Sequence, residues 1–206
     1  TALNTAFVQD GAFVYVPSGT VVEKPIFFLH VTASDEDLFL QPRHLFVVED
    51  GAIAKIIEAQ HSLTDANTFT NTVGEAFVGE KANLDHYLIQ DEGDAASQVH
   101  TRAAQQKDDS VYSSQTVTFS GEVVRNNATV EADGSFCESN LYGLVIGKGE
   151  MHVDNHTRMD HVQPDCTSNE LYKHVLNDES TAVFNGKVFV SRGSQRIDAY
   201  QQNDTI

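Results

Sequence analysis

Met151–Asp160, MHVDNHTRMD, is the stretch that decides the fold. Met151, Val153, Asn155, Thr157 and Met159 fall on one side of an extended chain, and His152, Asp154, His156, Arg158 and Asp160 on the other. Successive side chains of a strand point to opposite faces, so this period of two marks a strand with one side turned to a core. Thr68, Thr70 and Thr72 alternate likewise with Phe69, Asn71 and Val73, and Phe184, Gly186, Val188 and Val190 with Val183, Asn185, Lys187 and Phe189.

Working outward, strand-like runs recur at Phe13–Val16, Ile26–Val31, Leu45–Val48, Ile53–Glu58, Leu84–Gln90, Val111–Phe119, Val123–Val130 and Leu141–Ile146. They are rich in the β-branched and aromatic residues that fit a pleated, half-buried surface. Glu170–Leu176 has a four-residue spacing that suits a helix, but it is short and also alternates, so it reads as strand. Turn residues punctuate the runs at Pro17-Ser18-Gly19, Glu49-Asp50-Gly51, Gly79-Glu80-Lys81, Lys107–Ser110, Ala132-Asp133-Gly134, Pro164-Asp165 and Arg192-Gly193-Ser194. They recur about every 25 to 33 residues, the period of a stacked array. The expected class is all-β, a single-stranded parallel β-helix built as a solenoid of short coils, with Thr68/Thr70/Thr72 and Thr116/Thr118 forming polar ladders between coils. A β-sandwich fits the same strand count and turn spacing. Asp91–Asp94 and Thr101–Ser110 are polar enough to read as exposed turns or a frayed coil, and no stretch reads as a linker, so residues 1–206 form one domain.

The chain has 206 residues, with 13 Lys+Arg against 30 Asp+Glu and a formal charge of −17. Such a polyanion repels phosphate backbones and acidic lipid, which argues against nucleic-acid and membrane partners. Cys137 and Cys166 are the only thiols, too few for a disulfide framework, and point to a reducing, cytoplasmic setting.

Catalytic motifs are sparse. No Gly-x-Ser-x-Gly or phosphate-cradling glycine loop occurs. His152, Asp154 and His156, with His161 and Cys166 nearby, form the best metal-like grouping, but alternate strand residues lie about 6.8 Å apart, so a third ligand must come from another coil. Period two already explains that face as solvated. Cys137 and Cys166 read as small buried hydrophobes that neighbouring coils can bring together; a reactive thiolate needs a basic neighbour such as Lys148 or Arg158. The sequence therefore nominates no catalytic residue and no metal ligand.

Four segments in order carry a resemblance: Gly11–His30 (GAFVYVPSGTVVEKPIFFLH), Arg43–Glu58 (RHLFVVEDGAIAKIIE), Asp154–Leu176 (DNHTRMDHVQPDCTSNELYKHVL) and Ala182–Val190 (AVFNGKVFV). Together they resemble the SufB/SufD family of iron–sulfur cluster assembly scaffolds, on the SufD side, because the cysteine- and tyrosine-rich stretches of the SufB side are missing. The resemblance implies a β-helix core flanked by helical regions, a non-enzymatic role, and pairing with a SufB-like paralogue and a SufC-like ATPase. It implies that the whole complex builds the cluster transiently and that the partner ATPase uses the ATP, so no cofactor is expected on this chain. The family's ATPase-contacting helical domain and its Cys-Ser-His type motif are expected beyond Ile206, so no cluster ligand is carried over, and Cys166 and His161 are taken as structural.

Two other readings compete: a β-helix polysaccharide lyase or hydrolase, which needs a carboxylate or basic cluster in a groove, and a metal carrier using His152 and His156. In isolation, an open β-helix end also invites a second copy of the chain.

Overall fold

The computed structural model describes all 206 residues. A short helix, α1 (Ala2–Phe7), precedes fifteen strands. The first five are β1 (Gly11–Val16), β2 (Ile26–Thr32), β3 (Leu38–Leu40), β4 (Arg43–Val48) and β5 (Ile53–Ser62). Next come β6 (Thr68–Val78), β7 (Asn83–Asp91), β8 (Ala96–Gln106), β9 (Val111–Thr118) and β10 (Val123–Ala132). The last are β11 (Glu138–Gly147), β12 (His152–His161), β13 (Thr167–Leu176), β14 (Thr181–Val190) and β15 (Asp198–Thr205).

Every pairing is parallel, and apart from β3 and β4, which share a sheet, consecutive strands alternate between two sheets. One sheet runs β1-β4-β6-β8-β10-β12-β14, with β3 also on β6, and the other β15-β13-β11-β9-β7-β5-β2. The chain thus winds as a two-sheeted parallel β-helix, and the sandwich alternative falls because its hairpins would pair strands antiparallel. Register partners lie one coil apart, from 26 residues for Thr101↔Asn127 to 32 for Gly11↔Arg43. No helix is long and apolar enough to cross a membrane.

Period two sorts the side chains as the sequence suggests. Met151, Val153, Asn155, Thr157 and Met159 are buried between the sheets, and Val16, Val48 and Val78 stack in register at the end of the first sheet's strands. An apolar cluster runs from Val16 through Phe46, Ile56, Leu84, Val130 and Met159 to Tyr172. Burying each such side chain contributes about 1.5–3 kcal/mol. Gly143 belongs to this order: a Cβ there would meet the Tyr172 ring at 2.2 Å, so only glycine lets the tyrosine lie over the neighbouring rung.

The corners between the sheets are a second ladder. Gly19, Gly51, Lys81, Asp109, Phe136 and Asp165 all have positive φ, between 55° and 68°. Each donates its backbone N–H to a carbonyl of the next corner, as in Gly51 to Glu80 at 2.7 Å and Lys81 to Asp108 at 2.8 Å. Repetition of this bond holds even side-chain-bearing residues in a backbone region that costs them about 1–2 kcal/mol each.

Two sequence expectations need correction. Thr101–Gln106 is not a frayed coil but the second half of β8, with Arg102, Ala104 and Gln106 buried. The segment is polar because its inward residues meet other polar groups, not water. Glu92, inside the supposedly exposed Asp91–Asp94 patch, is likewise buried. The polar ladders hold in part: Thr118 bonds to the next coil, donating to Gln90 at 2.8 Å, whereas Thr116 accepts from Arg102 of the opposite sheet.

Candidate functional site

One group of buried, unpaired polar atoms lies inside the first coils. In RHLFVV of β4, alternation turns His44 inward beside Phe46; in IAKIIE of β5 it turns Glu58 inward beside Ile56. The two strands belong to opposite sheets, so His44 and Glu58 face each other across the interior. His86 of β7 and His30 of β2 complete the group. Phe46 forms the wall, stacking on His44 with centroids 6.2 Å apart and meeting His86 edge-on at 5.3 Å.

Glu58 is fully buried. Its Oε1 accepts a 2.6 Å bond from His86 Nε2, which leaves His86 Nδ1 to face the Tyr112 hydroxyl at 3.3 Å. Burial alone would push the Glu58 carboxyl up; the His86 hydrogen bond, with the fields of His86, His44 and His100, outweighs it and holds the pKa to about 2. Glu58 is therefore a carboxylate, and its Oε2 lies 3.7 Å from His44 Nε2. Burial lowers the His44 pKa, with Glu58 opposing the shift. Glu58 Oε2, His44 Nε2 and His30 Nε2 have no hydrogen-bond partner in the chain. The three residues bring their ligand-type atoms within 4.8 Å of one another. Two imidazole nitrogens and one carboxylate oxygen thus gather in one part of the interior, and His86 holds the other carboxylate oxygen.

Three surface cavities reach this group, one of them, of about 720 Å³, through His44 beside Arg43 and Glu75. A second, of about 280 Å³, is lined by His30 and His44 with Asp10, Phe13, Phe28 and Pro42. The third, of about 430 Å³, includes His30, Gln41, Gln60, Thr70 and Glu92. Burial raises the Glu92 pKa to about 7, against the opposing effect of the Thr70 hydroxyl.

The residues weighed from sequence lie elsewhere. His152, Asp154 and His156 do share the outer face of β12, but the neighbouring coil supplies no third ligand: Arg125 pairs with Asp154. His156 Nε2 also contacts Asp154, at 2.9 Å, and His152 Nδ1 lies 2.6 Å from the Thr181 hydroxyl. Cys137 and Cys166 are buried free thiols, stacked one coil apart so that each sulfur contacts the Gly134 carbonyl, at 3.1 and 3.2 Å. A hydrogen bond from Cys137, aided by His161, lowers the Cys166 pKa, and that same bond, with burial, raises that of Cys137. The basic neighbour is thus His161, not Lys148 or Arg158, whose charges meet Asp94 and Asp160. His30, His44, Glu58 and His86 were not singled out by sequence reasoning. Their signal is a histidine or carboxylate at the inward phase of a strand.

Residues 30–206 match a family model described as SUF system FeS cluster assembly, SufBD core domain, and residues 1–28 one described as SufBD protein N-terminal region. An iron–sulfur cluster assembly SufBD family protein of Synechocystis is 30% identical over 213 residues, covering 99% of this chain and 47% of its own length. The iron–sulfur cluster assembly protein SufD of Escherichia coli is 25% identical over 99% of this chain and 49% of its own. SufD of Bacillus subtilis is 25% identical over 100% of this chain and 47% of its own. The chain spans about half the length of the curated relatives it matches.

Proposed function

The chain belongs to the SufBD family of the SUF system, on its SufD side, and from that premise we propose that it is a non-catalytic scaffold in iron–sulfur cluster assembly. In this reading it pairs with a SufB-like paralogue and supports a SufC-like ATPase in the cytoplasm. The cluster is substrate and product of the whole complex, and the ATP is consumed by the partner.

The observation that carries the reading is the family match across residues 30–206. The architecture suits it. A parallel solenoid is rigid along its axis and presents long outer faces for docking. On the first sheet that face includes Phe13 and Tyr15 of β1 and Phe77 two rungs on, all exposed. Exposed aromatic residues of this kind suit a protein partner better than a small substrate.

Size-exclusion chromatography with light scattering tests the reading, using the full-length protein alone and mixed with SufB-like and SufC-like proteins of its own organism. Co-elution at a mass that includes all components is expected. Separate elution of the full-length protein from both partners would overturn the proposal.

A further inference from the structure

We infer that His30, His44 and Glu58 form a binding site for one divalent first-row transition-metal ion, held by His30 Nε2, His44 Nε2 and Glu58 Oε2 and oriented by His86. The inference concerns the chain's own side chains and stands whether or not the chain acts as a scaffold.

Three observations point to a cation. Glu58 Oε2, His44 Nε2 and His30 Nε2 are buried and without hydrogen-bond partners in the chain, and a buried polar atom left unpaired is costly. They are all ligand-type atoms, and their residues bring such atoms together within 4.8 Å, with His44 and Glu58 at 3.7 Å. Ligands of a tetrahedral ion with bonds near 2.1 Å sit about 3.4 Å apart, so small side-chain rotations close the set. Thirdly, the remaining carboxylate oxygen accepts from His86 Nε2 at 2.6 Å, and His86 in turn faces Tyr112. That is the outer-shell support a ligating carboxylate needs.

The donor set selects the ion. Two imidazoles and one carboxylate suit zinc, cobalt, iron(II) or manganese, whereas magnesium and calcium prefer oxygen alone. The cavity lined by His30, His44 and Asp10 gives an entry path and room for water as a further ligand.

Binding has a proton consequence. Ala12 N–H points at His44 Nδ1, 3.0 Å away, which places the imidazole proton of the unloaded site on Nε2, toward Glu58. A cation can bind Nε2 only once that proton has left it; in the neutral ring the proton then sits on Nδ1, so the Ala12 N–H must turn away. Ala12 belongs to β1, the end strand of its sheet, where such a shift disturbs only one neighbour.

The test is isothermal titration of the purified protein with Zn(II), paired with Co(II) absorption spectroscopy, for wild type, His30→Ala, Glu58→Gln and an outer-face double variant, His152→Ala with His156→Ala. The expected result is one ion per chain, a visible Co(II) band, and at least a tenfold loss of affinity in His30→Ala and Glu58→Gln but not in the outer-face variant. His30 is only half-buried, so His30→Ala is expected to keep the fold, which circular dichroism is used to check. Amide exchange at Ala12 should also quicken on loading. Absence of Zn(II) and Co(II) binding to the folded wild-type protein would overturn the inference. So would binding lost only in the outer-face variant.

Discussion

Two side chains at the centre of buried polar groups, Gln90 and Glu58, differ in how they are completed. Both are fully buried. Gln90 Nε2 donates to Gln98 at 3.0 Å, and its Oε1 accepts from Thr118 at 2.8 Å and Asn126 at 3.1 Å. Around Glu58 only one carboxylate oxygen is engaged, and the other faces two imidazole nitrogens that also lack partners. The Gln90 group also leaves an amide nitrogen of Gln98 and an amide oxygen of Asn126 unpaired, but these are one donor and one acceptor on separate residues. The difference teaches how to read polarity inside a solenoid. A network whose central amide is bonded at both ends specifies the stacking of coils, whereas unpaired ligand-type atoms gathered together call for a bound species.

The largest effect is expected at Gln90. Gln90→Leu strands Gln98, Thr118 and Asn126 inside the solenoid and should cost about 3–5 kcal/mol in urea unfolding. A loss below about 1 kcal/mol would mean that the Gln90 network does not specify the stacking, and the comparison breaks.

Glu92 sharpens the comparison from the mouth of the same interior. Its folded pKa of about 7 lies above its ordinary value of 4.5 because the carboxyl is buried, with only the Thr70 hydroxyl beside it and His30 and Asp10 across the shared cavity. A raised folded pKa means that its stabilising contribution is full below pH 4.5 and is lost as the pH rises through 7. Glu92→Gln, a neutral isostere, should therefore match wild type at pH 4 and exceed it at pH 8 by on the order of 3 kcal/mol. Equal pH profiles for the two proteins would show that Glu92 is ionised and solvated.

Arg102 is a third kind of buried polar group, a cation with a hydroxyl partner, Thr116, and one guanidinium nitrogen unpaired. Because it forms no ion pair, Arg102→Met should leave the protein equally stable or up to about 2 kcal/mol more so. A clear destabilisation in thermal unfolding would reveal a role for the charge that its contacts do not show.

The smallest effect is expected outside the core, at the corner ladder. Phe136 is exposed with φ of 59°, so Phe136→Gly relieves backbone strain at the cost of chain entropy. A gain of up to about 1 kcal/mol is expected by calorimetry; a loss would mean that the ring has a packing role.

Much of this architecture could be read from residues. MHVDNHTRMD announced a strand with Met151, Val153 and Met159 inside, and the turn spacing announced the coil length. The approach of Cys137 and Cys166, which neighbouring coils could bring about, is also realised. What stayed hidden is what an inward residue meets. His44 and Glu58 sit on consecutive strands of opposite sheets, and their meeting depends on how the corner between them folds, which period two does not encode. Composition misled in the same way at Thr101–Ser110, where Arg102 and Gln106 point inward although their surroundings in sequence look solvated.

Anomalous diffraction from crystals of the Co(II)-loaded protein tests the contrast between the Gln90 and the Glu58 polar groups most directly. One strong peak about 2.1 Å from His30 Nε2, His44 Nε2 and Glu58 Oε2, and none beside Gln90, is the predicted result. A water molecule between those three atoms, with the cobalt at His152, Asp154 and His156 on the outer face, would contradict it.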